Sequence, residues 1–356
     1  MAELMLAGVT HYPPLAGTDD DMAGIHRRML ADPDVPEAER DPASWPAEQR
    51  AEWGEDQARS SASTHRRSLR DGFTRIRAEI EAFEPDAVLI WGDDQYENFR
   101  EDLIPPYAIL AYDDLVARPW AERRSPNAWG EPADFAYPVR GHPTLARTLA
   151  EALLQDGVDV AYAYTPRHHP DLAHAFLNAV LFLDYDRTGF PWPVVAMPIN
   201  CYGRKVISAR GTWKPLGEHL VLDPPAPRPS RLMEVGAAVA RALLASPWRV
   251  VLLASSSWSH AFLVDHNHRL RPDTPADRRL YEALVAGDFE AWERTPLDDV
   301  EHAGQHEVLN WWCLAGAARE LGLGGPDWAT FVETHCFNSN KVFATWEPVA
   351  APGARA

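Results

Sequence analysis

The sequence predicts an α/β protein with a mainly parallel or mixed central sheet covered by helices, and three observations carry that prediction. Short apolar runs recur along the chain, closed by small, polar or proline residues. Segments with apolar residues at helical spacing lie between them. Ionisable side chains gather just after several of the runs.

The runs are Leu4–Val9, Ala87–Trp91, Val158–Tyr164, Val194–Ile199 and Val250–Ala254. They are rich in Val, Ile, Leu and Ala and mostly lack alternation, the pattern of a strand buried on both faces. Arg70–Phe83 sets Phe73, Ile76, Ile80 and Phe83 on one helical stripe, and Thr144–Leu154 and Met233–Leu244 read the same way. Strand and helix in alternation imply a parallel sheet. Asp19–Leu69 is polar with few apolar anchors and reads as a helical, surface-lying insertion, a lid or a subunit contact. Pro224–Pro229 reads as a loop and Val349–Ala356 as a frayed tail. With no internal repeat or composition break, residues 1–348 are expected to form one catalytic domain.

A net charge of -18 argues against a nucleic-acid partner, because phosphate neutralisation needs clustered Lys and Arg. It also disfavours an anionic membrane surface, yet leaves a small anionic substrate open. The three cysteines form no CxxC pair, so neither a disulfide framework nor a zinc-thiolate site is expected. Residues 1–8 lack a basic leader segment, and no uncharged apolar run approaches the ~18–20 residues that span a bilayer. The expected location is the cytoplasm. Fourteen tryptophans point to a deep core or an aromatic-lined cavity.

Ligands bind open α/β sheets beyond the carboxyl ends of the strands. The first run is followed by His11 and Tyr12, and the second by Asp93, Asp94 and Gln95. The third is followed by His168, His169 and then His174, and the last by Ser255–Ser257, Trp258 and His260. His168 and His169 divide between solvent exposure and function. Glu307 lies in a helical, tryptophan-rich segment, where a carboxylate is either exposed or buried against a partner or metal. A metal-dependent enzyme built on His11, His260 and Glu307 is the expectation. A serine hydrolase is not, since no Gly-x-Ser-x-Gly elbow precedes a helix. Nucleotide binding fails as well, since no GxGxxG or phosphate loop follows a strand.

Six segments in order resemble the class III extradiol ring-cleavage dioxygenases, of the protocatechuate 4,5-dioxygenase β-chain type. They are Gly8–His11, Gly92–Phe99, Gly141–Ala146, Ala173–Phe176, Ser257–His260 and His306–Trp311. The resemblance implies His11 and Glu307 as metal ligands, His260 as a proton-handling neighbour, and His174 as a substrate contact. It implies Fe(II), a small catechol-like aromatic substrate, O2, and a homodimer in which 19–69 serves subunit contact. Two histidines and one carboxylate on one face of Fe(II) leave positions open for catecholate and oxygen.

The chain departs from that pattern at Gln95, where the family carries its second metal histidine. Gln95 itself, Asp94 or Asp93, or His169 can supply the third ligand. An oxygen-rich set shifts preference toward Mn(II) or weakly held Fe(II). Alternatively the reaction has changed, to another oxygenase or a non-redox reaction on an aromatic or amino-acid-like substrate. Tyr12 and Trp258 are expected to line the pocket or to pack. Arg204 and Lys205 follow a strand end and are candidates to hold a substrate carboxylate.

Overall fold

The computed structural model describes residues 2–212, 214 and 218–350. Its strands are β1 (Glu3–Val9), β2 (Ala87–Asp93), β3 (Ala108–Leu110), β4 (Leu115–Ala117), β5 (Tyr137–Val139), β6 (Ala161–Ala163), β7 (Val194–Ile199), β8 (Arg249–Ser255), β9 (Trp328–Val332) and β10 (Lys341–Ala350). Eight of them form one mixed sheet in the order β6-β3-β7-β2-β8-β1-β10-β9, and β4 pairs with β5 apart from it. The central four, β7, β2, β8 and β1, run parallel. Antiparallel pairs, β3 with β7 and β10 with β1, bound them on either side.

The apolar runs are continuous because both faces of this centre are covered. Leu4 and Leu6 enter one core layer while Met5, Ala7 and Val9 enter the other. Helices α1 (Asp19–Leu30), α2 (Glu37–Arg40), α3 (Ala47–Trp53), α4 (Arg59–Phe83), α5 (Pro143–Gln155), α6 (His174–Leu183), α7 (Pro229–Leu244), α8 (Thr274–Ala286), α9 (Phe289–Arg294), α10 (Leu297–His302) and α11 (Leu309–Glu320) surround the sheet. The buried residues of α5, α7 and α11 join the first layer, and those of α1, α4 and α6 the second. Close approach of α7 to α11 depends on two glycines. A Cβ at Gly236 would lie 1.8 Å from the Cys313 carbonyl oxygen, and one at Gly316 would lie 2.1 Å from that of Met233.

Several expectations shift. The 19–69 segment is helical, but it is not merely laid on the surface: Met22, Ile25, Met29, Trp45, Trp53 and Leu69 are buried in the second layer. Its few apolar anchors are long enough to reach the sheet, so a polar composition hid a core contribution. The third run keeps only Ala161–Ala163 as strand, with Val158 and Val160 buried in the approach to it. Val349 and Ala350 are not frayed; they pair with Leu4 and Glu3. The remainder of that tail, 351–356, lies outside the described residues. Among the described residues no helix is long and apolar enough to cross a membrane.

Candidate functional site

Parallel register puts the carboxyl ends of the central strands at one edge. Val9 is opposite Ser255, and Asp93 is opposite Ile199. His11 follows β1 by two residues, and its buried imidazole turns back over this edge. Its Nδ1 lies 3.1 Å from the Ser255 carbonyl oxygen, which can only accept, so Nδ1 carries the proton. Nε2 therefore faces Glu307 Oε2 at 3.2 Å and Asp93 Oδ1 at 3.6 Å.

Glu307 is not inside the helix expected for it. It occupies the 3-10 turn His306–Val308 that leads into α11, fully enclosed. Its Oε1 accepts from the Tyr202 hydroxyl at 2.9 Å and from Gln95 Nε2 at 3.1 Å, and faces His260 Nε2 at 3.3 Å. The Ser257 backbone N–H donates to Oε2 at 3.2 Å. Both oxygens are thus held in place by the surrounding frame.

The two aspartates after the second run separate. Asp94 accepts the backbone N–H groups of Glu97, Asn98 and Phe99, so its carboxylate shapes the loop and does not join the cluster. Asp93, the last residue of β2, points into it. Gln95 donates to Asp93 Oδ2 and to Tyr202 at 3.0 Å each, bracing both carboxylates with its amide nitrogen. The left-handed backbone of Tyr96, φ 64°, then reverses the chain and brings Glu97 to His174. Glu97 accepts His174 Nδ1 and the His174 backbone N–H, each at 2.9 Å. The His174 ring meets that of His11 edge to face at 5.1 Å.

Electrostatics follow from this enclosure. Burial alone would lower the His11 pKa, but Glu307 and Asp93 overcome it and raise it. Burial and the Glu307 charge push Asp93 up to about 6. Against burial, Glu97 lifts His174 to about 10, and His174 in turn brings Glu97 down to about 2. Burial lowers His260, with Glu307 opposing.

The donor set fits a divalent cation. His11, Asp93 and His174 each offer a ligand atom within 4.8 Å of the others, but Glu97 holds His174 protonated, whereas the Glu307 carboxylate lies 3.2 Å from His11 Nε2 on the same side. Donors at right angles on an ion with bonds of ~2.1 Å lie about 3.0 Å apart, close to the His11–Glu307 and His11–Asp93 separations. Asp93 Oδ1 is buried and has no hydrogen-bond partner among the described residues, which costs stability unless something else engages it.

Other expected residues stand elsewhere. Tyr12 turns away, its ring under Lys341 Nζ at 3.6 Å and its edge against His65. Trp258 packs among Trp292, Trp311, Tyr281 and Phe331. Neither lines the adjoining cleft; both aromatics are used in packing. Arg204 is engaged by Glu301 at 3.1 Å and Asp298 at 3.6 Å. His168 pairs with Asp102 and His169 with Asp171, and neither ring joins the cluster. A cleft of about 100 Å³ opens over Gln95 and Tyr202, walled by Phe262 and Leu263 and by the basic Lys205 and Arg269. Tyr202 and Lys205 follow the fourth apolar run, so the rule that located His11 also points to them.

No protein-family model matches the chain. It is similar to proteins named 2,3-dihydroxyphenylpropionate/2,3-dihydroxicinnamic acid 1,2-dioxygenase. That of Photorhabdus laumondii is 22% identical over 241 residues, covering 68% of this chain and 60% of the relative. That of Azotobacter vinelandii is 25% identical over 239 residues, covering 66% and 59%. That of Burkholderia vietnamiensis is 28% identical over 278 residues, covering 70% and 80%. The chain thus spans about three fifths of the length of the first two. These similarities support an extradiol dioxygenase family.

Proposed function

We propose that this chain is a metal-dependent extradiol dioxygenase that opens a catechol-like ring, with Fe(II), or Mn(II), held by His11, Asp93 and Glu307. The observation that carries this reading is the orphaned, buried Asp93 oxygen beside His11 and Glu307 at the carboxyl edge of the sheet. In this reading Asp93 replaces the missing histidine, and Gln95 orients the carboxylates through its amide nitrogen. One histidine with two carboxylates is an oxygen-rich set, which suits Fe(II) or Mn(II).

When bound, the cation supplies the redox chemistry with O2 and a docking point for the catechol oxygens. The protein's own groups do the rest. His260, kept neutral by burial, can take a phenolic proton and return it to a departing oxygen. His174, kept protonated by Glu97, donates to an anionic substrate oxygen. Tyr202 and Gln95 keep Glu307 from rotating. Phe262 and Leu263 give the ring an apolar wall.

Of the two basic residues that follow this strand end, Lys205 suits the anchoring role and Arg204 does not. Arg204 is paired with Glu301, whereas the Lys205 ammonium has no ion pair among the described residues and lines the cleft. A catechol bearing a carboxylate side chain suits it, in keeping with the relatives' names. The test is anaerobic loading with Fe(II), then O2 and a panel of catechols with and without carboxylate. Oxygen uptake with a ring-opened, yellow product supports the reading; no uptake by the metal-loaded protein with any catechol overturns it.

A further inference from the structure

The segments carrying His260 and Glu307 meet at a buried acid outside the proposed chemistry. Asp277 lies in α8, is fully buried, and makes no ion pair among the described residues. The Ser259 backbone N–H donates to its two oxygens at 3.1 and 3.0 Å. Gln305 Nε2 donates to Oδ1 at 2.8 Å, and Asn340 Nδ2 to Oδ2 at 2.9 Å. Asn340 cannot be turned around, because its own Oδ1 accepts the Thr334 backbone N–H at 2.9 Å. Each of these contacts to Asp277 is a donor, so the position calls for an acceptor on both oxygens.

The donors are placed with purpose. Ser259 immediately precedes His260, and Gln305 lies two residues before Glu307. The Asn340 carbonyl accepts the Trp258 N–H at 2.8 Å, tying in the other end of the His260 loop. One carboxylate therefore joins the segments whose side chains meet at His260 Nε2 and Glu307 Oε1, 3.3 Å apart.

We propose that Asp277 is a positioning residue, a buried acceptor hub that sets His260 against Glu307 by holding Ser259, Gln305 and Asn340 at once. This rests on the ring-cleavage reading for its kinetic consequence, though not for its geometry. Asp277→Asn keeps the shape but sets an amide donor against the donor of Gln305 or Asn340. Adding Gln305→Glu restores the pair with reversed polarity, the new amide donating to the new carboxylate while its oxygen still serves Ser259 and Asn340.

The test reads histidine-ring NMR of the isotope-labelled protein, thermal unfolding, and steady-state kinetics. Asp277→Asn should shift the His260 ring signals and lower kcat on the order of 10²-fold, with KM within about twofold, and the double variant should restore both. Lower thermal stability with His260 signals and kcat unchanged overturns the proposal. So does a double variant that regains stability without regaining them. If Asp277→Asn does not fold, Gln305→Leu removes a single contact; unchanged ring signals and kcat there also overturn it. A wild-type protein that consumes no oxygen defeats the ring-cleavage reading alone, and the ring signals still decide the role of Asp277.

Discussion

Asp93 and Asp94 are neighbours in sequence, and strand geometry sends their carboxylates to different tasks. Asp93 ends β2 and points over the sheet edge, whereas Asp94 begins the loop and caps it. Asp93→Asn should therefore abolish stoichiometric Fe(II) binding, measured by metal analysis after desalting. Asp94→Ala should keep the metal but lose about 1–3 kcal/mol of stability, since the buried Asn98 N–H and the half-buried N–H groups of Glu97 and Phe99 lose their acceptor. Metal retained in the first variant and lost in the second would reverse the assignment. His174 and Glu97 make a second residue-level prediction. A histidine that titrates near 6.5 when unfolded and about 10 when folded contributes its full stability below about pH 6.5 and loses it as the pH climbs toward 10. Glu97, depressed to about 2, adds a loss only as the pH falls below about 4.5. Urea midpoints of the metal-free protein should fall between pH 6.5 and 9.5, and Glu97→Gln should flatten that slope. An unaltered slope would show that the pair does not carry it.

Elements differ in how far the sequence exposes them. The buried parallel strands were legible from Leu4–Val9, Val194–Ile199 and Val250–Ala254, because enclosure on both faces leaves an uninterrupted apolar signature. β9 and β10 were not: Trp328–Val332 and Lys341–Ala350 alternate with small and polar residues and pair antiparallel at the edge. At the site, His11, His174, His260 and Glu307 could be picked out by following strand ends and the family segments. Asp93 could not be told from Asp94, since a one-residue difference in where a strand ends decides which face the side chain takes. Buried Asp277 gave no signal, because its partners are backbone and amide groups far away in sequence. The α7–α11 contact carries an element-scale prediction. Gly236→Ala drives a methyl group into the Cys313 carbonyl and should destabilise the fold by about 1–3 kcal/mol, read by chemical denaturation. The turn bearing Glu307 feeds directly into α11, so metal affinity should weaken alongside. Wild-type stability in that variant would mean the two helices are free to separate. Lys205→Ala should raise KM for a carboxylated catechol about tenfold or more and leave plain catechol unchanged, the loss of one charge-assisted hydrogen bond. An equal effect on both substrates would place Lys205 outside the anchoring role.

At the scale of the molecule, an acidic chain concentrates a few basic groups at one cleft. The net charge of -18 would repel an anionic substrate over most of the surface. Lys205 and Arg269 line the cleft over Gln95 and Tyr202, and since Arg269 is paired with Asp265 at 2.7 Å, Lys205 is left in the proposed function to attract an anionic substrate there. The helical 19–69 segment completes the opposite core layer, and Glu52 within α3 accepts the backbone N–H groups of His335 and Cys336. The frame around the site is thus anchored from both faces of the sheet. The central claim is that this frame holds a cation at His11, Asp93 and Glu307 and uses it to insert oxygen into a catechol ring. Turnover of a carboxylated catechol under 18O2, followed by mass spectrometry of the ring-opened product, tests it most directly. The account predicts that both oxygen atoms enter the product, its carbonyl being reduced at once so that exchange with water does not remove label, and that Asp93→Asn yields none. Incorporation of a single atom under those conditions, or labelled product from Asp93→Asn at the wild-type rate, would contradict it.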